Sequence, residues 1–339
     1  MINRRKMLAT GAGAMTWAAG APLFAQTPLG TPEPPTSGKI ERLDPALDAL
    51  IDVNAVIEPL TDKLVWCEGP TWVGGADGYL LYSDVRGNRI HRLDTDKKDT
   101  VWVDPSGYVG PLAPDVIIEA GTNGLYSTRR GVIAADSGNR VVSLYDTATK
   151  KRTILAEKFE GKRFNSPNDV CVSTRDGGIY FTDPPHGLTG GVASSARDMD
   201  YTGIFRIGRN NAVTLIGKFA LPNGIGISPD GGTLYHTDRN LGWLAHTLDS
   251  KGDIAATRVF VDRATVAGGD GLSIDSQGNM WASSRGAIII VTPQGKLIGK
   301  IVINNGVVSN CELGEDGYLY MSCNHQMARV RCKARKFAV

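Results

Sequence analysis

The stretch Trp66-Cys67-Glu68-Gly69-Pro70-Thr71-Trp72 begins a pattern that returns five more times along the chain. In each copy one short acidic or amide side chain stands at the corresponding place. These marked positions are Glu68, Asn123, Asn168, Asn223, Asp270 and Asn310. Subtracting successive residue numbers gives intervals of 55, 45, 55, 47 and 40 residues. Intervals of about 40 to 50 residues are typical of four-stranded propeller blades, so the sequence predicts an all-β, six-bladed β-propeller.

Hairpin signals follow the marked positions and support this fold class. Glycine-bearing turns such as Asp77-Gly78, Asp176-Gly177-Gly178 and Asp316-Gly317 separate short apolar strands. Asp, Asn and Gly tolerate the backbone conformations that tight hairpins require. The chain of 339 residues contains 41 glycines and 42% hydrophobic residues, which favours a turn-rich β domain with a large core.

The N-terminal region has a different character. Residues 1–25 contain Asn3-Arg4-Arg5-Lys6-Met7-Leu8 followed by a weakly apolar run, which predicts a twin-arginine signal peptide. We therefore expect handling by the twin-arginine export machinery, a periplasmic or secreted location, and no stable membrane insertion after cleavage. Residues 26–52 are predicted to form a proline-rich tether and a short helix opened by Asp44-Pro45.

Residues 53–339 are assigned to the propeller. The strand Ala55–Pro59 belongs to no complete repeat, and the sixth repeat is short. We expect this strand to pair with the last repeat and to close the ring, because closure removes exposed sheet edges. Two long insertions, 105–119 and 184–201, interrupt the repeats. If both lie on the face of the marked residues, they would form the wall of a pocket.

The net charge and the cysteines exclude some classes of function. The formal charge is +2, and removing Arg4, Arg5 and Lys6 with the signal lowers it to −1, which argues against nucleic-acid binding. The five cysteines, at positions 67, 171, 311, 323 and 332, have no CxxC spacing. Cys311 and Cys323 fall on consecutive strands of the last repeat, so a disulfide and buried free thiols are both open.

The marked positions predict a metal site. First strands of propeller blades lie nearest the axis, so six oxygen-bearing side chains, two of them acidic, converge there. No Lys or Arg occupies an equivalent position, and buried carboxylates need a counter-charge. Oxygen ligands favour a hard divalent cation, Ca²⁺ first, with Mg²⁺ and Mn²⁺ as alternatives; Zn²⁺ remains possible although it prefers His and Cys. For Asn123 and Asn310 a purely structural turn role is also open.

Five ordered motifs in this chain resemble the gluconolactonase/SMP-30 (regucalcin) family, nearest the exported bacterial gluconolactonases. They are Glu68-Gly69-Pro70, Arg163-Phe164-Asn165-Ser166-Pro167-Asn168-Asp169, Phe181-Thr182-Asp183-Pro184-Pro185, Pro222-Asn223-Gly224 and Asp270-Gly271-Leu272-Ser273-Ile274-Asp275. The resemblance extends from about residue 40 to the C-terminus. It implies a six-bladed propeller with one catalytic divalent ion held by Glu68, Asn168, Asn223 and Asp270.

The resemblance also implies substrate contacts and a reaction. Asn123, Asn168 and His186 are expected to contact substrate, although relatives often have Tyr where this chain has His186. The expected reaction is hydrolysis of a sugar lactone, gluconolactone-like, to its aldonic acid. A bound ion would polarise the lactone carbonyl for attack by water. Asp270 is the first candidate for general base and Glu68 the second, and the sequence does not separate them.

Several alternatives stay open at this stage. His325 is a further candidate base or a packing residue. The same metal site would also suit a phosphotriesterase, and a non-catalytic ligand-binding propeller is a third possibility. A Ser-His-Asp hydrolase is disfavoured because the chain has no Gly-x-Ser-x-Gly motif. The sequence does not specify which lactone is used or the oligomeric state.

Overall fold

The computed structural model describes residues 38–110, 116–304 and 306–337. The predicted twin-arginine signal and the first part of the predicted tether lie outside these residues. Within the described ranges, no helix has the length and apolar character needed to cross a membrane.

Six antiparallel sheets follow one another along the chain, each with four successive strands, apart from the sixth, which takes its outermost strand from the N-terminal region. Blade 1 contains β3 (Cys67–Val73), β4 (Tyr79–Asp84), β5 (Arg89–Asp94) and β6 (Asp99–Val103). Blade 2 contains β7 (Thr122–Thr128), β8 (Gly131–Asp136), β9 (Val141–Tyr145) and β10 (Arg152–Ala156). A two-stranded ribbon, β11 (Lys158–Phe159) and β12 (Lys162–Arg163), precedes blade 3.

The second half of the molecule repeats this plan. Blade 3 contains β13 (Val170–Val172), β14 (Ile179–Asp183), β15 (Gly203–Ile207) and β16 (Val213–Lys218). Blade 4 contains β17 (Pro222–Ile227), β18 (Thr233–Asp238), β19 (Gly242–Leu248) and β20 (Ile254–Val261). Blade 5 contains β21 (Leu272–Ile274), β22 (Met280–Ser284), β23 (Ala287–Val291) and β24 (Leu297–Ile303), and blade 6 contains β25 (Val308–Leu313), β26 (Tyr318–Cys323) and β27 (Gln326–Arg331).

The first strands of the blades form a closed ring. Contacts run in the cyclic order β3, β7, β13, β17, β21, β25 and back to β3. The sixth sheet is completed by β2 (Ile57–Pro59), which pairs with β27 through Ile57 and Val330. The predicted closure by the strand before the first motif is therefore confirmed, and so is the six-bladed propeller.

One part of the predicted tether is an ordered strand. β1 (Gly38–Arg42) pairs along its full length with β24 and adds a fifth strand to blade 5. The tether prediction was wrong for these five residues, because the free edge of β24 supplies backbone partners that the local composition does not reveal. The short helix predicted after Asp44 is a 3-10 helix, Pro45–Ala49, and the Asp44 carboxylate accepts a hydrogen bond from the Ala46 N–H at 2.9 Å.

Apolar side chains fill the spaces between neighbouring sheets. Between blades 2 and 3, for example, Phe164, Phe181 and Phe205 pack with ring centroids 5.0 to 5.5 Å apart. All five cysteines are buried and free. Cys311 is opposite Met321 and Cys323 is opposite Val308, so the register keeps the two thiols out of direct pairing and no disulfide forms between them.

The C-terminal tail covers one end of the axis. Lys336 forms an ion pair with Glu312 on β25, and its ammonium lies 5.0 Å from the centroid of the Tyr126 ring. The Ser276 N–H donates to the Arg335 carbonyl at 2.7 Å. Lys336 and Phe337 line a small axial cavity of about 50 Å³. The tail therefore closes the axis at the end of the first strands.

Candidate metal and substrate site

Irregular strand pairing turns the marked side chains toward the axis. The register between the first two strands shifts at the motif in blades 1, 2, 4 and 6, for example between Glu68 and Thr71 and between Pro222 and Ile225. A bulge bends a strand and redirects a side chain. In these four blades the marked residues therefore leave the normal alternation of the strand, whereas Asn168 and Asp270 precede the first strands of blades 3 and 5.

The motif glycines let the blades approach at this point. A Cβ atom on Gly69 would lie 2.0 Å from the carbonyl oxygen of Asn123, and one on Gly224 would lie 2.1 Å from that of Asp270. Such distances are not possible for real atoms without movement of the backbone. These two motifs therefore combine a polar side chain with a glycine that the neighbouring blade requires.

Hydroxyl groups on the second strands fix the same carbonyls. Ser83 Oγ donates to the Asn123 carbonyl at 2.7 Å, and Thr182 Oγ1 donates to the Asn223 carbonyl at 2.7 Å. Thr237 Oγ1 donates to the Asp270 carbonyl at 2.7 Å. We call these the hydroxyl braces. Each one ties a marked residue to the preceding blade, so the positions of the marked side chains depend on the whole ring.

Three of the marked amides form a hydrogen-bonded row. Asn123 Nδ2 donates to Asn168 Oδ1 at 3.0 Å, and Asn168 Nδ2 donates to Asn223 Oδ1 at 2.7 Å. Burial raises the pKa of Asp270, and a hydrogen bond from the Asn223 side chain opposes that rise. Each amide oxygen keeps a second lone pair for another partner. Asn168, Asn223 and Asp270 are therefore adjacent, as the metal-site prediction requires.

Glu68 and Asp270 share the axial space with little compensation. Burial raises the pKa of Glu68 well above its usual range, and the carboxylates of Asp270, Asp169 and Glu119 add to the rise. Burial also raises the pKa of Asp270 to about 7, while Arg239 acts in the opposite direction. Glu68 is only 4% exposed, whereas Asp270 is partly exposed at the mouth. The structure therefore brings the two predicted acidic residues, Glu68 and Asp270, close to each other and to further carboxyl groups.

The structure adds two acids that the sequence analysis did not identify. Asp169 lies beside Asn168, and burial together with Asp270 raises its pKa to about 8. Glu119 ends the first insertion, and burial raises its pKa while Arg86, Asn123 and Ser137 oppose the rise. Glu119 lies outside the repeat phase. Asp169 precedes its strand, where the alternation of side chains does not apply.

Asn310 does not join this group of ligand candidates. Its Nδ2 donates to both carboxylate oxygens of Asp169, at 3.1 and 3.2 Å, and its Oδ1 accepts from the Cys311 N–H at 2.8 Å. The structural role that was left open for Asn310 is the observed one. His325 likewise has a local role, since its Nδ1 lies 3.0 Å from the Leu64 carbonyl oxygen.

The two insertions pack against each other on the site face. Ile117 forms a bridge with Leu188, and the Ile118 N–H donates to the Gly187 carbonyl at 2.9 Å. Glu119 continues from this contact and interacts with Glu68 and Asp270. The neighbouring His186 has its pKa lowered to about 4 by burial and by Arg239, so its ring is neutral near pH 7. The described residues at the end of the first insertion and the start of the second therefore lie together beside Glu68 and Asp270.

The donor set fits a divalent cation. The four carboxyl groups of the site carry four negative charges when ionised, and the nearby guanidinium groups of Arg86 and Arg239 supply two positive ones. One divalent cation would neutralise the remainder. In the described part of the chain there is no group of three or more His, Cys, Asp or Glu side chains with metal-binding geometry. An ion here would therefore depend on the amide oxygens of Asn168 and Asn223 as well as on carboxylates, which suits a hard ion.

Comparison with known proteins identifies the family of this chain. The model of the SMP-30/gluconolactonase/LRE-like region matches residues 66–325. A gluconolactonase of Zymomonas mobilis subsp. mobilis is 36% identical over 353 aligned residues, covering 98% of each chain.

Solved structures share the fold. A structure described as a gluconolactonase from Xanthomonas campestris superposes with a TM-score of 0.76 at 24% identity, covering 90% of this chain and 99% of that one. A regucalcin from Agrobacterium tumefaciens, described as a calcium-binding protein, superposes with a TM-score of 0.63 at 19% identity, covering 82% and 94%. The family match and the full-length relative show that the chain belongs to the SMP-30/gluconolactonase/LRE-like family.

Proposed function

We propose that this protein hydrolyses a sugar lactone, gluconolactone-like, to the corresponding aldonic acid with the help of one divalent cation. The observation that carries the proposal is the axial group of Glu68, Asn168, Asn223 and Asp270, crowded by further carboxylates. The Zymomonas relative, similar over nearly its whole length, is named a gluconolactonase, which supports the same reaction.

Glu68, Asn168, Asn223 and Asp270 would hold the cation, with Ca²⁺ favoured and Mg²⁺, Mn²⁺ or Zn²⁺ as alternatives. A cation bound there supplies a Lewis acid that polarises the lactone carbonyl and offsets charge on its oxygen. The regucalcin neighbour, described as a calcium-binding protein, supports the choice of Ca²⁺.

Asp270 is the preferred general base. Asp270 as a whole residue is partly exposed, whereas Glu68 is 4% exposed, so we expect a water molecule to approach Asp270 more readily. Burial disfavours the ionised form of Asp270, whereas Arg239 favours it, and a cation bound at the site would favour it further. A general base has to be ionised to accept a proton.

Asn123 and His186 are the proposed substrate contacts. Asn123 is hydrogen-bonded to the proposed ligand Asn168. Arg239 acts on both His186 and Asp270. These interactions support the proposal.

A pH-stat assay on a panel of aldonolactones tests the proposal. Glucono-1,5-lactone should be hydrolysed above the spontaneous rate, EDTA should abolish that activity, and added Ca²⁺ should restore it. Asp270→Asn should lower kcat by roughly a thousandfold or more, because a base and a ligand are lost together. Asp253→Asn changes an exposed acid in a turn of blade 4 and should retain wild-type activity.

The outcomes separate the competing functions. An organophosphate ester hydrolysed faster than any lactone would favour a phosphotriesterase. Lactone hydrolysis that is indifferent to EDTA would contradict the metal requirement. No turnover of any lactone, with Ca²⁺ binding intact, would favour a ligand-binding propeller.

We also propose that residues 1–25 direct export by the twin-arginine route to the periplasm or the medium. The support is the Arg4-Arg5 pair before a weakly apolar run. A reporter protein fused to these residues should be exported from the cytoplasm. The same fusion carrying both Arg4→Lys and Arg5→Lys should stay in the cytoplasm. Export that persists in a strain lacking the twin-arginine translocase would refute the route.

A further inference from the structure

Three polar atoms at the axial site lack a hydrogen-bond partner within the described residues, although all three are buried. They are Glu119 Oε2, Asn123 Oδ1 and His186 Nε2. Buried polar atoms are nearly always paired, because an unpaired group costs free energy. These three come from the first insertion, from β7 and from the second insertion, so the fold assembles them from separate parts of the chain.

Glu119 is held in place by the loops and directed toward the axis. Its N–H donates to the Gly187 carbonyl at 3.3 Å, which fixes its backbone to the second insertion. The residue is 7% exposed, and its charge acts on both Glu68 and Asp270. It is therefore a buried carboxyl group beside the proposed reaction centre with one oxygen left open.

The open atoms define the chemistry of their partner. Asn123 Oδ1 is an acceptor, and so is Glu119 Oε2 when the carboxyl group is ionised, so a partner other than the cation itself has to supply hydrogen-bond donors. A lactone ring by itself offers only acceptor oxygens, whereas hydroxyl groups donate. An anionic partner is disfavoured by the surrounding carboxylates of Glu68, Asp169 and Asp270. A neutral polyol meets both conditions.

We propose that Glu119 is a specificity residue that accepts a hydrogen bond from a ring hydroxyl of the substrate, and so selects polyhydroxylated lactones over unsubstituted ones. This inference rests on the proposed lactonase function. A site built to bond a hydroxyl discriminates strongly against analogues that lack it, because its own polar groups are then left unpaired. Asn123 and His186 complete the same hydroxyl-binding subsite.

The experiment compares two six-membered lactones, glucono-1,5-lactone and the hydroxyl-free δ-valerolactone, with Ca²⁺ present. In Glu119→Gln the ratio of kcat/KM for the two substrates should fall by roughly ten- to a hundredfold, mainly through a higher KM for gluconolactone. Glu157→Gln, which changes an exposed acid near the end of β10, serves as the matched control and should leave the ratio unchanged.

A deoxy series identifies the contact without relying on one variant. Among aldonolactones that each lack one hydroxyl, one should be hydrolysed poorly by the wild-type protein and lose nothing further in Glu119→Gln, since the same hydrogen bond is absent in both cases. This comparison in the wild-type protein stands even if the substitution impairs folding.

Calorimetric titration with Ca²⁺ separates the subsite from a metal ligand. Glu119→Gln should bind Ca²⁺ within about threefold of the wild-type affinity, since a neighbouring carboxyl acts only at a distance. Lost Ca²⁺ binding with equal losses on both lactones would overturn the inference and make Glu119 a ligand. If the wild-type protein hydrolyses gluconolactone and Glu119→Gln leaves the ratio of kcat/KM for the two lactones unchanged, the role of Glu119 is overturned and the proposed function stands. No wild-type turnover of either lactone would overturn the proposed function and this inference with it.

Discussion

Asp169 and Asp270 have pKa values of about 8 and 7, because burial and neighbouring carboxylates disfavour their charged forms. Each folded-state pKa lies above the usual value of 3.8 for an unfolded chain. Stability from these groups is therefore complete below about pH 4 and is lost as the pH rises through the folded values. Without a cation, the site that serves catalysis weakens the fold near neutral pH.

This effect is measurable between pH 6.5 and 8. Burial lowers the pKa values of His236 and His246 in the fold, whereas an unfolded histidine is about half protonated at pH 6.5. Each therefore opposes the carboxyl effect over that range, but by only about 0.4 kcal/mol. In EDTA, the Tm of the wild-type protein should fall by at least roughly 3 °C from pH 6.5 to 8, and Asp169→Asn should reduce the fall. Added Ca²⁺ should raise Tm more at pH 8 than at pH 6.5. A Tm in EDTA that rises over this range would contradict the assignment.

Sequence reasoning found some residues of the site and missed others for a physical reason. Glu68 and Asp270 recur at the repeat interval, so their convergence follows from the fold class. Glu119 belongs to an insertion, and its place is decided by the contact between two loops about 70 residues apart in sequence, from Ile117 to Leu188. No periodicity encodes that contact.

At the scale of the blade, the motif glycines decide how closely neighbouring first strands approach. Gly224 has no positive φ, so its requirement is one of space: the Asp270 carbonyl oxygen lies where a Cβ would be. The Thr237 hydroxyl brace donates to the same carbonyl at 2.7 Å. The carbonyl is therefore held between two fixed groups, and with it the Asp270 side chain.

Adding a methyl group at this contact should separate the blades. Gly224→Ala is expected to lower the free energy of unfolding by at least about 3 kcal/mol, because backbone has to move, and to weaken Ca²⁺ binding. Gly75→Ala, whose Cβ would meet only the Glu315 side chain at 3.9 Å, is the control and should change stability by less than about 1 kcal/mol. Urea unfolding measures both. Equal effects of the two substitutions would show that the blades do not press on each other at Gly224.

At the scale of the whole molecule, the ring is closed by a strand from the other end of the chain. The repeats and the closing strand β2 were predictable, since six copies of one pattern with a leftover strand have few arrangements. The additional strand β1 was not, because its neighbours in sequence are prolines and only the open edge of β24 gives it a partner. The hydroxyl braces were also missed, since they join positions in different blades.

Truncation tests the contribution of these N-terminal strands. Removing residues before Gly38 keeps β1 and β2, and should leave Tm within about 2 °C of that of the protein cleaved after residue 25. Removing residues through Pro59 exposes the edges of β24 and β27 and should yield aggregates or a strongly destabilised protein. Size-exclusion chromatography and thermal unfolding report the result. A soluble monomer with unchanged Tm after the longer truncation would show that the propeller does not depend on β1 and β2.

Among the described residues, the C-terminal tail covers one end of the propeller axis. Because Lys336 and Phe337 line the cavity at that end, we expect lactone and product to use the opposite end, where Arg239 acts on Asp270. The aldonate product is an anion, so the guanidinium of Arg239 should attract it as it leaves the site. If substrate and product share one entrance, accumulated aldonate should act as a competitive inhibitor of lactone hydrolysis.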